Sequence, residues 1–250
     1  MDSGLPFYSE PLALSFGGGV QTTALLVMAV RGEVERPDLV AFADTGCEWP
    51  ETYDYISRYI KPLVEKAEIE FVTVKHPSKT LLEYYWHYRA IPMPQSRACT
   101  HNFKISPISK LYGQRGIQKE WVGFSAEEGG RASRKKPIRK GVKADFPLIT
   151  LGLTRADCAA EIARFGLPEP LKSSCVCCPF QHPSRIALLS QRHPDLFEQV
   201  GKLEDRSLSR LGKVPYYIAG DRPWRTWARA EQLGFGGDWA YGCADGYCFR

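Results

Sequence analysis

The chain has 250 residues, 44% of them hydrophobic and 24% charged, with a formal net charge of +5 and eight cysteines. That composition suits one large globular domain, or a domain with a small appendage, and excludes a disordered chain. No apolar run approaches the length of a membrane-spanning helix and the first ten residues have no basic-then-apolar leader, so a cytoplasmic protein with no membrane contact is expected.

Taken in order, residues 12–16 read as a short buried strand. Gly17, Gly18 and Gly19 then lead through Gln21, Thr22 and Thr23 into a helix to residue 31 that is apolar on most faces, the mark of a buried helix. "DLVAFAD" (38–44) reads as a second strand, followed by a loop beginning Thr45-Gly46-Cys47. Residues 51–66 have helical spacing, with Tyr53, Ile56, Tyr59, Ile60 and Val64 on one side. A strand over 69–75, helices over 80–89 and 103–115, and a strand over 120–126 follow. Strands alternating with helices predict an α/β fold of three layers around a parallel sheet of about five strands. Right-handed crossovers bring the strand C-termini to one edge, where ligands of such sheets sit.

After Phe146 the pattern changes. A helix over 155–164 is stopped by Gly166 and Pro168, and "SSCVCCPF" precedes helices near 184–191 and 196–210. The last eighteen residues hold five glycines together with Cys243 and Cys248. The expected division is a core domain over 1–190 and a mostly helical extension with a Gly/Cys-rich tail over 191–250.

The positive charge has one source. Arg131, Arg134, Lys135, Lys136, Arg139, Lys140 and Lys143 put seven cations into thirteen residues with no acid, and without them the chain carries 26 basic against 28 acidic side chains, a net charge of −2. Such a loop suits phosphate, sulfate or nucleic acid, or is simply solvated.

A strand, a glycine turn and a helix N-terminus aim backbone N–H groups at one point, which makes an anion site. The alternative is a plain tight turn, although three glycines cost more backbone entropy than a turn requires. The spacing fits neither the Gly-Lys-Ser/Thr ending of the mononucleotide P-loop nor the Gly-x-Gly-x-x-Gly dinucleotide fingerprint. "SFGGGVQTT" resembles instead the PP-loop of the N-type ATP pyrophosphatases, Ser-Gly-Gly-x-Asp-Ser/Thr, with Gln21 standing where that motif has Asp. "ADTGCEWPETYDYI", "WVGFSAEEGGRA" and "FPLITLGLTRADCAAEIARFGLPEPL" then resemble, in the right order, segments of the PAPS reductase-like (CysH-like) family of the PP-loop superfamily, with Ser125 in place of one family arginine. The resemblance spans about residues 12–185 and implies a fold of the HUP/PP-loop type.

It also implies an adenine nucleotide, ATP or PAPS/APS, with magnesium as a candidate companion. Ser15, Gly17, Gly18, Gly19, Gln21, Thr22 and Thr23 would hold its phosphate or sulfate. Asp44, Thr45 and Gly46 would line the nucleotide pocket, or Asp44 would cap its own loop. Glu127, Glu128 and Arg131 would sit near the phosphates, with Arg131 the best single anion ligand. Arg134, Lys135, Lys136, Arg139 and Lys140 would close over them or contact a nucleic acid such as tRNA or DNA.

Cysteines in an intracellular setting point to metal ligands or reactive thiols rather than disulfides. Cys175 and Cys178 form a Cys-x-x-Cys pair trailed by Pro179, a common companion of iron–sulfur ligands. Family members with a 4Fe-4S cluster use cysteines here and in the region of Cys99, so the resemblance implies Cys99, Cys175 and Cys178 as ligands with Cys177 as a candidate fourth. Zinc, or buried thiols without metal, are the alternatives. Cys47 and Cys158 read as packing residues, and His101, His182 and His193 as solvated or capping. Cys243 and Cys248 lie on the glycine-rich tail, where sulfonucleotide reductases keep their nucleophile, but without that family's Glu-Cys-Gly-Leu-His-like motif.

Three functions follow as expectations. The first is ATP-pyrophosphatase-type activation coupled to sulfur transfer, with a nucleic acid as acceptor and a separate sulfur donor. The second is sulfonucleotide reduction, with Cys248 or Cys243 as nucleophile and a thioredoxin-like partner. The third is a non-catalytic nucleotide-binding accessory of a phage or CRISPR-type system. Gln21 is the residue on which the choice turns.

Overall fold

The structure, a computed structural model, describes residues 10–211 and 217–233. Five strands, β1 (Leu12–Phe16), β2 (Leu39–Asp44), β3 (Glu70–Lys75), β4 (Lys119–Val122) and β5 (Lys143–Asp145), form one sheet in the order β3-β2-β1-β4-β5. Every neighbouring pair is parallel. The major helices are α1 (Val20–Val30), α2 (50–66), α3 (Leu81–Tyr88), α4 (98–115), α5 (Arg155–Arg164), α6 (Pro183–Arg192) and α7 (Pro194–Leu211).

The period of two along each strand sorts residues between the layers. Leu12, Leu14 and Phe16 join Val40, Phe42 and Trp121 in a core shared with α1, α2 and α5. Ala13, Leu39, Ala41 and Ala43 face the other way, onto Ile108, Leu111 and Tyr112 of α4. β1 and β2 are thus covered on both faces, as central strands of a parallel sheet must be. Helix α1 is buried along nearly its whole length and packs on α5, as its all-round apolar sequence requires. Capping boxes start α3 at Thr80 with Glu83, and α5 at Thr154 with Asp157.

A further core joins the loop after β2 to the C-terminal helices. Cys47, Trp49, Leu81, Tyr85 and Phe103 pack with Val176, Cys177, Ile186, Phe197, Val200 and Trp224. The buried Glu204 carboxylate fastens the 218–224 segment to α7 by accepting the Ile218 N–H at 2.9 Å and the Trp224 N–H at 2.6 Å.

Four features depart from the sequence reading. β4 stops at Val122 instead of residue 126, because Gly123 lies against α1, where an added Cβ would come within 2.7 Å of Thr22 Cγ2. Helix α4 begins at residue 98, with a π turn at His101–Ile105, and α2 carries a second π turn at Ile56–Ile60. β5 is a charged three-residue strand that no hydrophobic pattern marks. Among the described residues no helix is long and apolar enough to cross a membrane.

Candidate functional site

The glycine turn sits where β1 ends and α1 begins. Gly18 has φ +72°, and its missing side chain leaves room for Thr52, whose Cγ2 would lie 2.8 Å from an added Cβ. Gly19 is the N-cap of α1 and offers no side chain to its first turn, so the N–H groups there are left to solvent or a ligand. Thr22 ties the turn together, its hydroxyl oxygen accepting the Gly17 N–H and its proton going to the Gly19 carbonyl, both at 3.3 Å. Gly17 differs from its neighbours: an added Cβ meets no protein atom within 4 Å, and the backbone is not left-handed. Thr23 is buried beneath the turn.

Alternation along β1 aims Ser15 at the α4 face. Its hydroxyl donates to Glu120 Oε1 at 2.6 Å and lies 3.1 Å from the Tyr112 hydroxyl. Ser15 therefore anchors the root of the turn from below.

The cations beside the turn are ones that local patterns do not reveal. Ser173 packs over Gly19, its Oγ 3.0 Å from where a Cβ would stand. The adjoining Lys172 is half-buried, and burial followed by the nearby charges of Arg185 and Arg155 pushes its ammonium down to about 8. Arg185 on α6 is 1% exposed, stacks 4.5 Å from the Trp49 ring, and is lowered by burial to about 10. Arg155, at the start of α5, donates from Nη1 to Gln21 Oε1 at 3.2 Å. These three cations repel one another, while Arg155 also pairs with Glu169 at 3.8 Å and Arg185 feels the Glu51 carboxylate. In sequence, Arg155 and Arg185 read as ordinary surface positions of amphipathic helices.

Gln21, Glu128 and Arg131 do come together. Gln21 Nε2 donates to Glu128 Oε2 at 3.4 Å, Glu128 also pairs with Arg131, and Arg131 lies 4.3 Å over the Phe124 ring. The neutral amide of Gln21 thus bridges a guanidinium and a carboxylate. An Asp here would suit Arg155 but repel Glu128. Arg131 is engaged by Glu128 and Phe124. Glu127 accepts the Arg155 backbone N–H at 3.1 Å and so helps start α5.

Asp44 ends β2 and is 7% exposed. It accepts the Tyr53 hydroxyl at 2.6 Å and the Gly46 N–H at 2.7 Å, and pairs with Lys75 at 3.0 Å. Burial alone would raise its carboxyl, but these three partners outweigh that and hold it below the usual range. Asp44 therefore braces its own loop. Thr45 turns its hydroxyl toward Glu48 Oε1 at 3.3 Å and Cys175 Sγ at 3.3 Å.

The basic segment divides. Lys135 reaches back to the buried Glu120 at 3.2 Å, and the Arg139 guanidinium lies on α4, 2.8 Å from where a Gly113 Cβ would stand. Both contacts fasten the segment to the core, and Arg139 remains exposed. Arg134, Lys136 and Lys140 are exposed.

The cysteine segment docks on the loop after β2. Val176 N–H donates to the Cys47 carbonyl at 2.7 Å, and Cys47 Sγ lies 3.5 Å from Cys177 Sγ. Cys175 faces Thr45 and the buried Glu48 carboxylate, which also takes Lys104 at 3.1 Å. Burial and then the Glu48 charge push the Cys175 thiol up; the Cys47 contact and burial raise Cys177; burial brings Cys178 to about 11. Thiol chemistry suits iron or zinc, but the arrangement does not. Cys175 and Cys177 make their closest contacts with Thr45, Glu48 and Cys47, the Cys177 thiol feels the charges of Cys175 and Cys178 and the Cys178 thiol that of Cys99. Among the described residues no group of three or more His, Cys, Asp or Glu side chains could hold a metal ion. Cys99, Cys175, Cys177 and Cys178 are thus not gathered into the ligand set expected of them. Cys158 is a core residue, while Cys47 adds its contact with Cys177 to its packing. Of the histidines, His182 caps α6 and His193 contacts Glu51. Cys243 and Cys248 lie outside the described residues.

A family model described as the phosphoadenosine phosphosulfate reductase domain matches residues 11–149, from β1 past β5. An uncharacterized nin region protein, ORF290, of Escherichia phage lambda is 27% identical over 151 residues. The alignment covers 50% of this chain and 52% of that protein, so the chain spans about half the length of the curated relative it matches. Two solved structures are similar in outline. One is a phosphoadenylyl-sulfate reductase from Candida auris in complex with phosphate, with a TM-score of 0.47, 16% identity, and coverage of 65% of this chain and 76% of that one. The other is the U34-tRNA thiolase NcsA from Methanococcus maripaludis with its 4Fe-4S cluster, with a TM-score of 0.47, 14% identity, and coverage of 88% and 80%. With more than half of its length matched by the model, the chain belongs to the phosphoadenosine phosphosulfate reductase domain family.

Proposed function

We propose that this chain binds an adenine nucleotide with its phosphate or sulfate end over Gly17–Gly19, and uses ATP to activate a nucleic-acid acceptor for sulfur transfer. The observation that carries the nucleotide reading is Gly17, where neither packing nor backbone conformation calls for a glycine. A ligand that must approach the backbone does. The uncapped N-terminus of α1 and the cations Lys172, Arg155 and Arg185 supply the matching charge.

In the activation step an acceptor oxygen attacks the α-phosphorus of ATP, the α–β phosphoanhydride bond breaks, and pyrophosphate leaves with the bonding electron pair. The N–H groups and cations beside the turn stabilise charge that grows on the leaving pyrophosphate. Sulfur delivered by a donor then attacks the activated carbon and expels AMP.

Calorimetric titration of ATP, PAPS and APS into wild type and Gly17→Val tests the site. The variant is expected to keep the wild-type melting temperature and lose nucleotide affinity; equal affinity would refute the reading. Pyrophosphate release that depends on added tRNA or DNA supports activation.

The family match favours a second reading of the same pocket. The thiolate of Cys248 or Cys243 attacks the sulfur of PAPS or APS, and the adenosine phosphate leaves with the electron pair. A thioredoxin-like dithiol then releases sulfite and is itself oxidised to a disulfide. Sulfite release abolished by Cys248→Ser or Cys243→Ser would establish it. Binding without either turnover would leave the accessory role.

A further inference from the structure

Away from the glycine turn, α3 and α7 enclose a groove of about 550 Å3. Its walls include Lys79, Glu83, Trp86, Lys202, Leu203 and Arg206. Trp86 is 45% exposed, an unusual state for a residue that normally buries most of its indole. Arg206 braces it, with the guanidinium carbon 4.6 Å over the ring and Nε donating to the Trp86 carbonyl at 3.1 Å. The result is a rigid, flat platform of indole and guanidinium.

The charge around that platform is one-sided. Glu83 is the one acid of the lining, and its carboxylate is turned into the α3 capping box, accepting the Thr80 N–H at 2.7 Å. Neither Lys79 nor Lys202 makes an ion pair within 4 Å among the described residues, although the charge of Lys79 is felt by Glu83. Two lysines therefore flank a half-exposed indole, one face of which is stacked by Arg206.

We propose that this groove binds single-stranded nucleic acid, with an unpaired base against Trp86 and the neighbouring phosphates on Lys79 and Lys202. An acidic peptide would satisfy the lysines but leave the indole wet, whereas a nucleotide covers the ring and neutralises the cations together. A duplex hides its base faces within its own stack, so a lone indole gains nothing from it. Aromatic platforms inside a cationic groove are the general means of holding unpaired strands. The inference goes beyond the nucleotide reading and does not depend on it, since the residues are different.

The test is fluorescence anisotropy of a short labelled oligouridylate against wild type and variants, over a range of salt. Trp86→Ala is expected to weaken binding by about tenfold, the loss of one stacked base, while Trp86→Phe retains most of the affinity. Lys79→Glu with Lys202→Glu is expected to lower the slope of log affinity against log salt by about 1.4, two single-strand phosphate contacts. ATP binding should be unchanged in all three, and oligonucleotide binding should persist in Gly17→Val, so failure of either site is read separately. The proposal is overturned if Trp86→Ala binds like wild type, or if the matching duplex or polyglutamate competes as well as the single strand. It is equally overturned if binding is lost only on reversing Arg134, Lys136 and Lys140.

Discussion

Replacing Lys135 by Met tests whether the basic segment is a strap or a solvated loop. Lys135 Nζ lies 3.2 Å from Glu120 Oε2, and the other oxygen of that carboxylate accepts the Ser15 hydroxyl at 2.6 Å. Glu120 is 1% exposed and Lys135 keeps a quarter of its side chain in solvent. Breaking a fully buried pair costs about 3–5 kcal/mol, because an uncompensated charge stays behind. Water reaches the lysine end here, so roughly 2–3 kcal/mol is expected for Lys135→Met. For a chain of this length that lowers the melting temperature by roughly 5–10 °C. Lys136→Met, two atoms of backbone away but exposed, should stay within about 0.5 kcal/mol of wild type. In a double-mutant cycle, Glu120→Gln should recover much of the Lys135→Met loss, since the charge that needed a partner is gone. Paired thermal and urea melts of the four proteins of the cycle and of Lys136→Met read this directly. A Lys135→Met melt indistinguishable from that of Lys136→Met would refute the strap. Because Ser15 hangs from the same carboxylate, the variant should also loosen the glycine turn and weaken nucleotide binding.

Further outcomes follow from the same geometry. With Lys172 held down to about 8, its charge is present below that pH and lost above it. Nucleotide affinity measured from pH 7 to pH 9 should therefore fall about tenfold, and Lys172→Arg should flatten the profile; a flat wild-type profile would remove Lys172 from the site. Cys178, raised to about 11, should react with iodoacetamide at pH 8 about a hundredfold more slowly than a free cysteine, as followed by mass spectrometry; fast labelling would contradict the raised thiol. Glu204→Ala strands the Ile218 and Trp224 N–H groups, at a cost of about 2–4 kcal/mol, and should open residues 217–233 to protease before the sheet is cut. Glu204→Gln, which keeps one acceptor oxygen, should fall between the two; cleavage unchanged from wild type in both would sink the staple.

What the sequence determined by itself was whatever depends on neighbours along the chain. β1 and α1 are legible as apolar runs broken by the glycines between them, and α5 by the glycine and proline that stop it. The glycine turn is legible for the same reason, and so is the order of strands and helices that places it at the ligand edge of the sheet. Tertiary structure alone decided what stands around that turn. Lys172, Ser173 and Arg185 come from a segment more than 150 residues downstream, and nothing local separates them from ordinary surface positions. Glu120 looks like any acid in a strand until α4 and the returning Lys135 bury it, and β5 is too short and too charged to show a period. The cysteines show the limit most sharply. Their spacing along the chain suits a metal, but the surroundings of Cys175 and Cys177 are set by Thr45, Cys47 and Glu48, about 130 residues earlier in the chain. Periodicity reports which face of an element is buried; it carries no information about which distant charge lies opposite it, and the chemistry of this site depends on that pairing.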